Sequence, residues 1–380
     1  MKFRKPAPVA GAALLLLAAC SDRDAVRTAA AQPPPAADAS AVAVAQPVPA
    51  PDVHPEPLEV PPIEPSVSPV APEIDTADWR AEAVTPRDRR NALIRAEVLL
   101  ARTHFSPGVI DGQDGGNLQT AIAAFEAAHA MPVNGKMDEQ VWAALAKDPR
   151  PALTDYVITA EDVKGPFLSK IPTDMAEMAK LDALGFTSPA QELAERFHMD
   201  EALLKALNPG VDYSVAGTRI VVAALGPDKL PGTVTRIEVD KTRRQVRAYG
   251  GDVLLAVYPA TVGSAERPAP QGEWAVRTVA PNPTYTYDPS RLTFGKASNG
   301  KLTIKPGPNN PVGSTWIDLT ADTYGIHGTP DPRLVGKTAS HGCVRMTNWD
   351  VRQLGQAVKK GTVVTFVGVE QDKAPKVAAG

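Results

Sequence analysis

The sequence predicts a multidomain chain: a disordered Pro/Ala-rich tether, a small three-helix domain, a small α+β module, and a mainly-β C-terminal domain carrying one helix. Three observations predict this order. Residues 21–84 are Ala, Pro and Val with scattered acids and no periodic apolar face, as in "AQPPPAADASAVAVAQPVPAPDVHPEPLEVPPIEP". Apolar residues at helical spacing then recur from about residue 88 to 207. Beyond residue 233 the period changes to two, in short runs bounded by Gly, Pro, Asn and Asp.

The 380 residues hold 40 Lys and Arg against 43 Asp and Glu, a formal net charge of −3. Such a balance lacks the basic excess that nucleic-acid binding uses, so no nucleic-acid partner is expected. Residues 1–20 read as an export signal, with basic "MKFRK", the apolar run "VAGAALLLLAA" and then Cys20. The run is too short to anchor stably across a bilayer. Its ending "LAAC" resembles the bacterial lipobox, in which the chain is cut before the cysteine and the thiol is diacylated. Ser21 at the next position then implies, in a Gram-negative cell, a lipid anchor at Cys20 in the outer membrane, facing the periplasmic peptidoglycan. An ordinary cleaved signal is the alternative. With lipid on Cys20, the second cysteine, Cys343, has no disulfide partner, and a lone thiol in an oxidising compartment is a liability unless its reactivity is used.

The tether cannot bury enough apolar surface to offset chain entropy. If extended, it would hold the following domains well away from a membrane. The three-helix domain is expected over 85–150. Leu93, Val98 and Leu100 face one core, Ile122 and Phe125 follow on a second helix, and Val141, Trp142 and Leu145 lie on a third. The pieces "SPGVIDG", "TAIAAFEAAHAMPVNG" and the Val-Trp pair resemble the small peptidoglycan-binding domain. A helical spacer without a ligand has the same periodicity.

Residues 154–226 place Leu193, Phe197, Leu203, Leu204 and Leu207 at helical spacing before "NPG" and the strand "TRIVVAA". This stretch resembles a LysM-type module, and His198 within it reads as a packing residue. The mainly-β domain is expected over 233–369, with "TRIEVDKTRRQVRAYG" as a hairpin and later strands in "VLLAVYPATVG", "GEWAVRTVA", "KLTIKPG", "STWIDLT" and "GTVVTFVGV". One helix follows a cap at Thr347 or Asn348, carries Val351, Leu354 and Val358 on one face, and ends at Gly361. Residues 370–380 read as a flexible tail.

The chemistry is concentrated in "YGIHGTPDPRLVGKTASHGCVRMTN", Tyr324 to Asn348. Acyl transfer through sulfur needs a thiolate, a base within reach, a group that orients the base, and donors for the oxyanion. Cys343 supplies the thiol. Gly342 lets a substrate carbonyl approach the backbone, with the N–H groups of Gly342 and Cys343 as oxyanion donors. His327 can fold back as the base, with the carbonyl of Gly328 holding its other nitrogen.

"IHGT" with "SHGCVRM", and upstream "RPAPQGEW", resemble the YkuD catalytic domain of the L,D-transpeptidases, whose signature is a histidine followed at a distance by Ser/Thr-His-Gly-Cys. The resemblance implies Cys343 as nucleophile, His327 as general base, Gly328 as orienting carbonyl, and Ser340, His341 and Gly342 as the supporting loop. Arg345 stands where some versions of the signature carry Asn, and a fork onto a stem-peptide carboxylate is the expected use of the guanidinium. Tyr324 and Trp316 are candidate cleft residues, with core packing as the alternative.

The resemblance also implies the reaction. Cys343 attacks the bond after the third residue of a peptidoglycan tetrapeptide stem, D-alanine leaves, and an amine resolves the thioester. A stem amine gives a 3→3 crosslink, an anchored lipoprotein's lysine gives a protein–wall link, and water gives an L,D-carboxypeptidase. Acylation by carbapenem-type β-lactams is a further implication. No cofactor or metal is expected. Zinc held by the two histidines and Cys343 is the alternative chemistry, and it lacks a fourth ligand nearby. A non-catalytic wall-anchoring lipoprotein is the rival function.

Overall fold

The structure, a computed structural model, describes residues 70–79, 85–264, 267–290, 300–340 and 342–370. The expected signal with Cys20, most of the tether, His341, and tail residues 371–380 lie outside the described residues.

The tether ends earlier than the composition suggests. Residues within its C-terminal part form helix α1 (Ala71–Asp75), with Pro72 in the first turn, where a missing N–H breaks no helical bond. Ile74 is buried in an apolar cluster, a burial that contributes roughly 1.5–3 kcal/mol. The Asp75 carboxylate accepts the N–H groups of Ala152 and Leu153 at 2.7 and 3.0 Å.

Helix α2 (Pro86–Arg102) starts in a capping box, where Thr85 accepts the Asp88 N–H and the Asp88 carboxylate accepts the Thr85 N–H. Helices α3 (Gly116–Ala128) and α4 (Glu139–Leu145) pack against it through Leu93, Leu99, Ile122, Phe125, Val141 and Trp142. The fully buried Glu126 accepts the N–H groups of Asn134 and Gly135, which fixes the "PVNG" turn.

The next unit pairs strand β1 (Leu153–Val157) with strand β2 (Arg219–Ala223), antiparallel, with Leu153 opposite Ala223. Between them lie α5 (Met175–Met178), α6 (Pro189–Arg196) and α7 (Glu201–Leu207). The expected boundaries do not separate independent cores. Ile94, Val98 and Ile110 share one apolar cluster with Leu193, Leu204 and Ile220, while Val257 from the β domain enters the three-helix core.

The C-terminal domain contributes β3 (Arg236–Asp240), β4 (Gln245–Gly250), β5 (Val253–Pro259), β6 (Gly272–Pro281), β7 (Tyr285–Tyr287), β8 (Leu302–Ile304), β9 (Thr315–Leu319), β10 (Gly325–His327), β11 (Val344–Arg345), helix α8 (Asn348–Ala357) and β12 (Val363–Val367). Eight strands form one sheet in the order β11-β10-β9-β6-β12-β3-β4-β5, and β7 and β8 form a separate two-stranded ribbon. The β10–β11 and β12–β3 pairs are parallel. Strand β6 joins the two halves of the sheet, pairing with β12 and then, past an irregularity at Val276/Thr278, with β9.

The edge strand β5 is not left open. His104 O accepts the Val257 N–H and Ser106 N–H reaches Val257 O, so backbone from the three-helix part covers the edge. Helix α8 is capped by Thr347, whose hydroxyl accepts the Asp350 N–H. It ends at Ala357 rather than at Gly361, because Val358 turns extended and the segment that follows is taken up by bonds to β6.

Candidate active site

Two short parallel strands position the chemistry. In the β10–β11 ladder Ile326 lies opposite Val344 and His327 opposite Arg345. Cys343 immediately precedes β11, so the register sets it beside the start of β10. Such strands hold their residues more firmly than a free loop does.

His327 is 4% exposed, and its Nδ1 lies 2.7 Å from the carbonyl oxygen of Gly328. A carbonyl only accepts, so Nδ1 carries the proton and Nε2 remains as the acceptor, the tautomer a general base requires. Trp316, opposite His327 in the β9–β10 ladder, stacks on the imidazole with centroids 5.3 Å apart and planes at 20°. Gly325 makes that packing possible, because a Cβ there would run into the Trp316 indole. Trp316 is thus a wall of the imidazole pocket. Burial pushes the His327 pKa down to about 3, the positive charge of Arg345 adds to the fall, and the Gly328 bond partly opposes it.

The Cys343 thiol is pushed up by burial, while a backbone bond from Gly325 and the Arg345 charge pull it down. Its Sγ lies 3.8 Å from the carbonyl of Thr323, a β-branched residue at φ +69°. Both shifts favour a neutral thiol beside a neutral imidazole, rather than the thiolate expected of an activated cysteine. The rate of Cys343 alkylation by iodoacetamide should therefore keep rising through pH 9, with no plateau between pH 5 and 8. A midpoint below pH 7 would show an imidazolium–thiolate pair instead.

The loop before the thiol is stapled by Ser340. Its hydroxyl donates to Cys343 O at 2.6 Å and accepts the Gly342 N–H at 3.2 Å. This corrects one expectation: the Gly342 N–H is taken up inside the loop, which leaves the Cys343 N–H as the candidate oxyanion donor of that pair. Gly342 sits at φ +110°, and a Cβ there would come within 2.8 Å of the Tyr324 ring. Tyr324 packs on the loop, with its hydroxyl 3.5 Å from Pro268 O. His341 lies outside the described residues.

Arg345 is partly buried and, among the described residues, pairs with no carboxylate. Burial lowers its pKa, opposed by interactions with Cys343 and Tyr285. Tyr285, on β7, was not picked out from sequence; burial raises its pKa, and Cys343 and Arg345 both act on it. The only hint of it in the sequence is the alternating "YTY" between prolines. Among the described residues no three metal-ligating side chains cluster.

The YkuD family, described as the L,D-transpeptidase catalytic domain, matches residues 234–366, and a peptidoglycan binding domain family matches 89–145. YkuD of Bacillus licheniformis is 34% identical over 169 residues, 44% of this chain and 85% of that protein. YqjB of Bacillus subtilis is 34% identical over 146 residues, 37% of this chain and 74% of that protein. YbiS of Escherichia coli K12 is 27% identical over 227 residues, 57% and 72% respectively. All three are named as L,D-transpeptidases. The solved L,D-transpeptidase from Mycobacterium smegmatis is similar at 17% identity and a TM-score of 0.29, covering 41% of this chain and 65% of that one. With its β domain matched to the catalytic family and most of two relatives covered at 34% identity, the chain belongs to the L,D-transpeptidase family and is an enzyme of the transferase class.

Proposed function

We propose that Cys343 cleaves the diaminopimelate–D-Ala bond of a peptidoglycan tetrapeptide stem and passes the acyl group to an amine. The observation that most supports this is the His327–Gly328 bond, which commits Nδ1 and leaves Nε2 to act as base beside the strand that follows Cys343. In the first half-reaction Nε2 takes the thiol proton as sulfur attacks the carbonyl, and the oxyanion forms against the Cys343 N–H. The imidazolium returns that proton to the departing D-Ala amine, leaving a thioester. In the second half-reaction an acceptor amine attacks the thioester while His327 removes its proton, and the thiol is released. Because the resting pair is neutral, charge separates only as the reaction proceeds, which places the demand on the oxyanion donor and the buried imidazole.

Arg345 is the proposed carboxylate receptor, since a partly buried guanidinium with no acidic partner among the described residues is matched by a stem-peptide carboxylate. Tyr324, Tyr285 and Trp316 frame the donor side. Peptidoglycan is the substrate class, and the domain matched at 89–145 supports a hold on the same polymer. Lipidation at Cys20 would keep the enzyme on the periplasmic face of an outer membrane, within reach of the wall; tethering raises local substrate concentration without adding contacts at the thiol.

Purified disaccharide-tetrapeptides incubated with the full chain test the reading through muropeptide masses. Crosslinked dimers with released D-Ala are expected. Tripeptide alone would make water the acceptor, and an unchanged substrate with a folded protein would favour the wall-anchoring reading.

A further inference from the structure

The peptide whose carbonyl holds His327 packs against Asn348, and Asn348 in turn reaches a residue outside the matched catalytic segment. Asn348, fully buried at the start of α8, places its side-chain oxygen in the notch left by two glycines, where a Cβ on either Gly313 or Gly328 would collide with it. That oxygen accepts the Ser314 N–H at 3.0 Å. The Gly328 N–H donates to Thr315 O at 3.2 Å, so the Gly328 peptide is held from one side by β9 and faces Asn348 on the other. The Asn348 amide nitrogen donates to Pro308 O at 3.1 Å and to Glu195 Oε2 at 2.9 Å.

Glu195 lies on α6, 153 residues away and outside the matched catalytic segment. Next to this contact His198 stacks on Trp349, centroids 4.9 Å apart and planes at 11°, so the two modules meet along the first turn of α8. An amide side chain can rotate about its last bond, and Glu195 joins Ser314 N–H and Pro308 O in keeping the Asn348 oxygen in the glycine notch.

We propose that Glu195 is a positioning residue for His327, acting through Asn348 on the Gly328 carbonyl, so that the LysM-like module completes the catalytic histidine's support. The inference rests on His327 being the base. It implies that catalytic rate, not only wall affinity, depends on a residue of the neighbouring module.

The test uses the full chain with Glu195→Met, which removes the acceptor while nearly keeping side-chain length, and Glu195→Gln, whose amide oxygen can still accept from Asn348. In Glu195→Met the Asn348 amide nitrogen keeps Pro308 O as an acceptor, so it is not left without a partner and the fold is expected to hold. Glu195→Met is expected to lower kcat roughly tenfold with KM within about twofold. It is also expected to displace the pH profile of Cys343 alkylation, and Glu195→Gln to restore both. Wild-type kcat and an unmoved profile in folded Glu195→Met would overturn the proposal. Should Glu195→Met not fold, the His327 Nδ1 proton resonance of Glu195→Asp, whose shorter side chain withdraws the acceptor from Asn348, decides: a displaced or broadened resonance is expected, and a wild-type resonance would refute the linkage. A wild-type chain without turnover would instead count against the proposed function, while the alkylation profile would still judge the clamp.

Discussion

Replacing His327 with Ala is expected to lower kcat for D-Ala release by a factor on the order of a hundred to ten thousand, the range a positioned general base commonly supplies. The size follows from the resting state. Burial favours a protonated Cys343 thiol and a neutral imidazole, its pKa down to about 3, so in the proposed mechanism the nucleophile is generated only as the proton moves to Nε2. Without the imidazole, the groups acting on the thiol among the described residues are the backbone at Thr323 and Gly325, Arg345 and Tyr285, none of them a base suited to take its proton. Raising the pH should recover part of the loss in His327→Ala, because hydroxide then makes the thiolate that the base otherwise makes. Wild type should hold its rate far below pH 6.5, since its imidazole does not protonate in that range. Steady-state rates from pH 4 to 10 for both proteins check this, and an acid limb near pH 6.5 in wild type would contradict it.

Gly342→Ala is expected to cost both activity and stability. The backbone at φ +110° is a region that side-chain-bearing residues rarely occupy, with a strain on the order of 1–3 kcal/mol. The new methyl also meets the Tyr324 ring, so the loop must shift or Tyr324 must leave Pro268. Either movement loosens the Ser340 staple across Cys343 and moves the thiol relative to His327. A misplacement of about 1 Å at a reacting centre can lower rate on the order of a hundredfold. Chemical denaturation and D-Ala release on the same preparation separate the two effects. A folded Gly342→Ala with wild-type turnover would show that the loop geometry is not what places the nucleophile.

The candidate site could be proposed from sequence because its residues are nearly contiguous. His327, Gly328, Ser340, Cys343 and Arg345 fall within a single stretch of sequence, and two short parallel strands set His327 opposite Arg345. What escaped the sequence comes from afar. Glu195 reaches Asn348 across 153 residues, and Tyr285 approaches from a ribbon that the alternation pattern only hints at. Glu195 leaves no local signal, since a Glu on a helix reads as solvated until a partner is placed against it.

The fusion of modules did leave a trace. From Ala92 to Ala101, with Arg95 and Glu97 interrupting, helix α2 is apolar or small on several sides, and Ala92, Leu93, Ile94, Ala96, Val98, Leu99 and Leu100 are all buried. A helix with one core to serve keeps a polar face, so this composition signals cores on two sides. The docking of α1 was hidden by composition: Ile74 sits among prolines and acids that dominate any window average.

The most direct test of the account is the intact mass of the full chain during incubation with disaccharide-tetrapeptide, compared with Cys343→Ala. The account predicts a transient adduct equal to the donor minus D-Ala, present in wild type, absent in Cys343→Ala and discharged by added amine. Turnover retained in Cys343→Ala, or an adduct that maps to another residue, would contradict it.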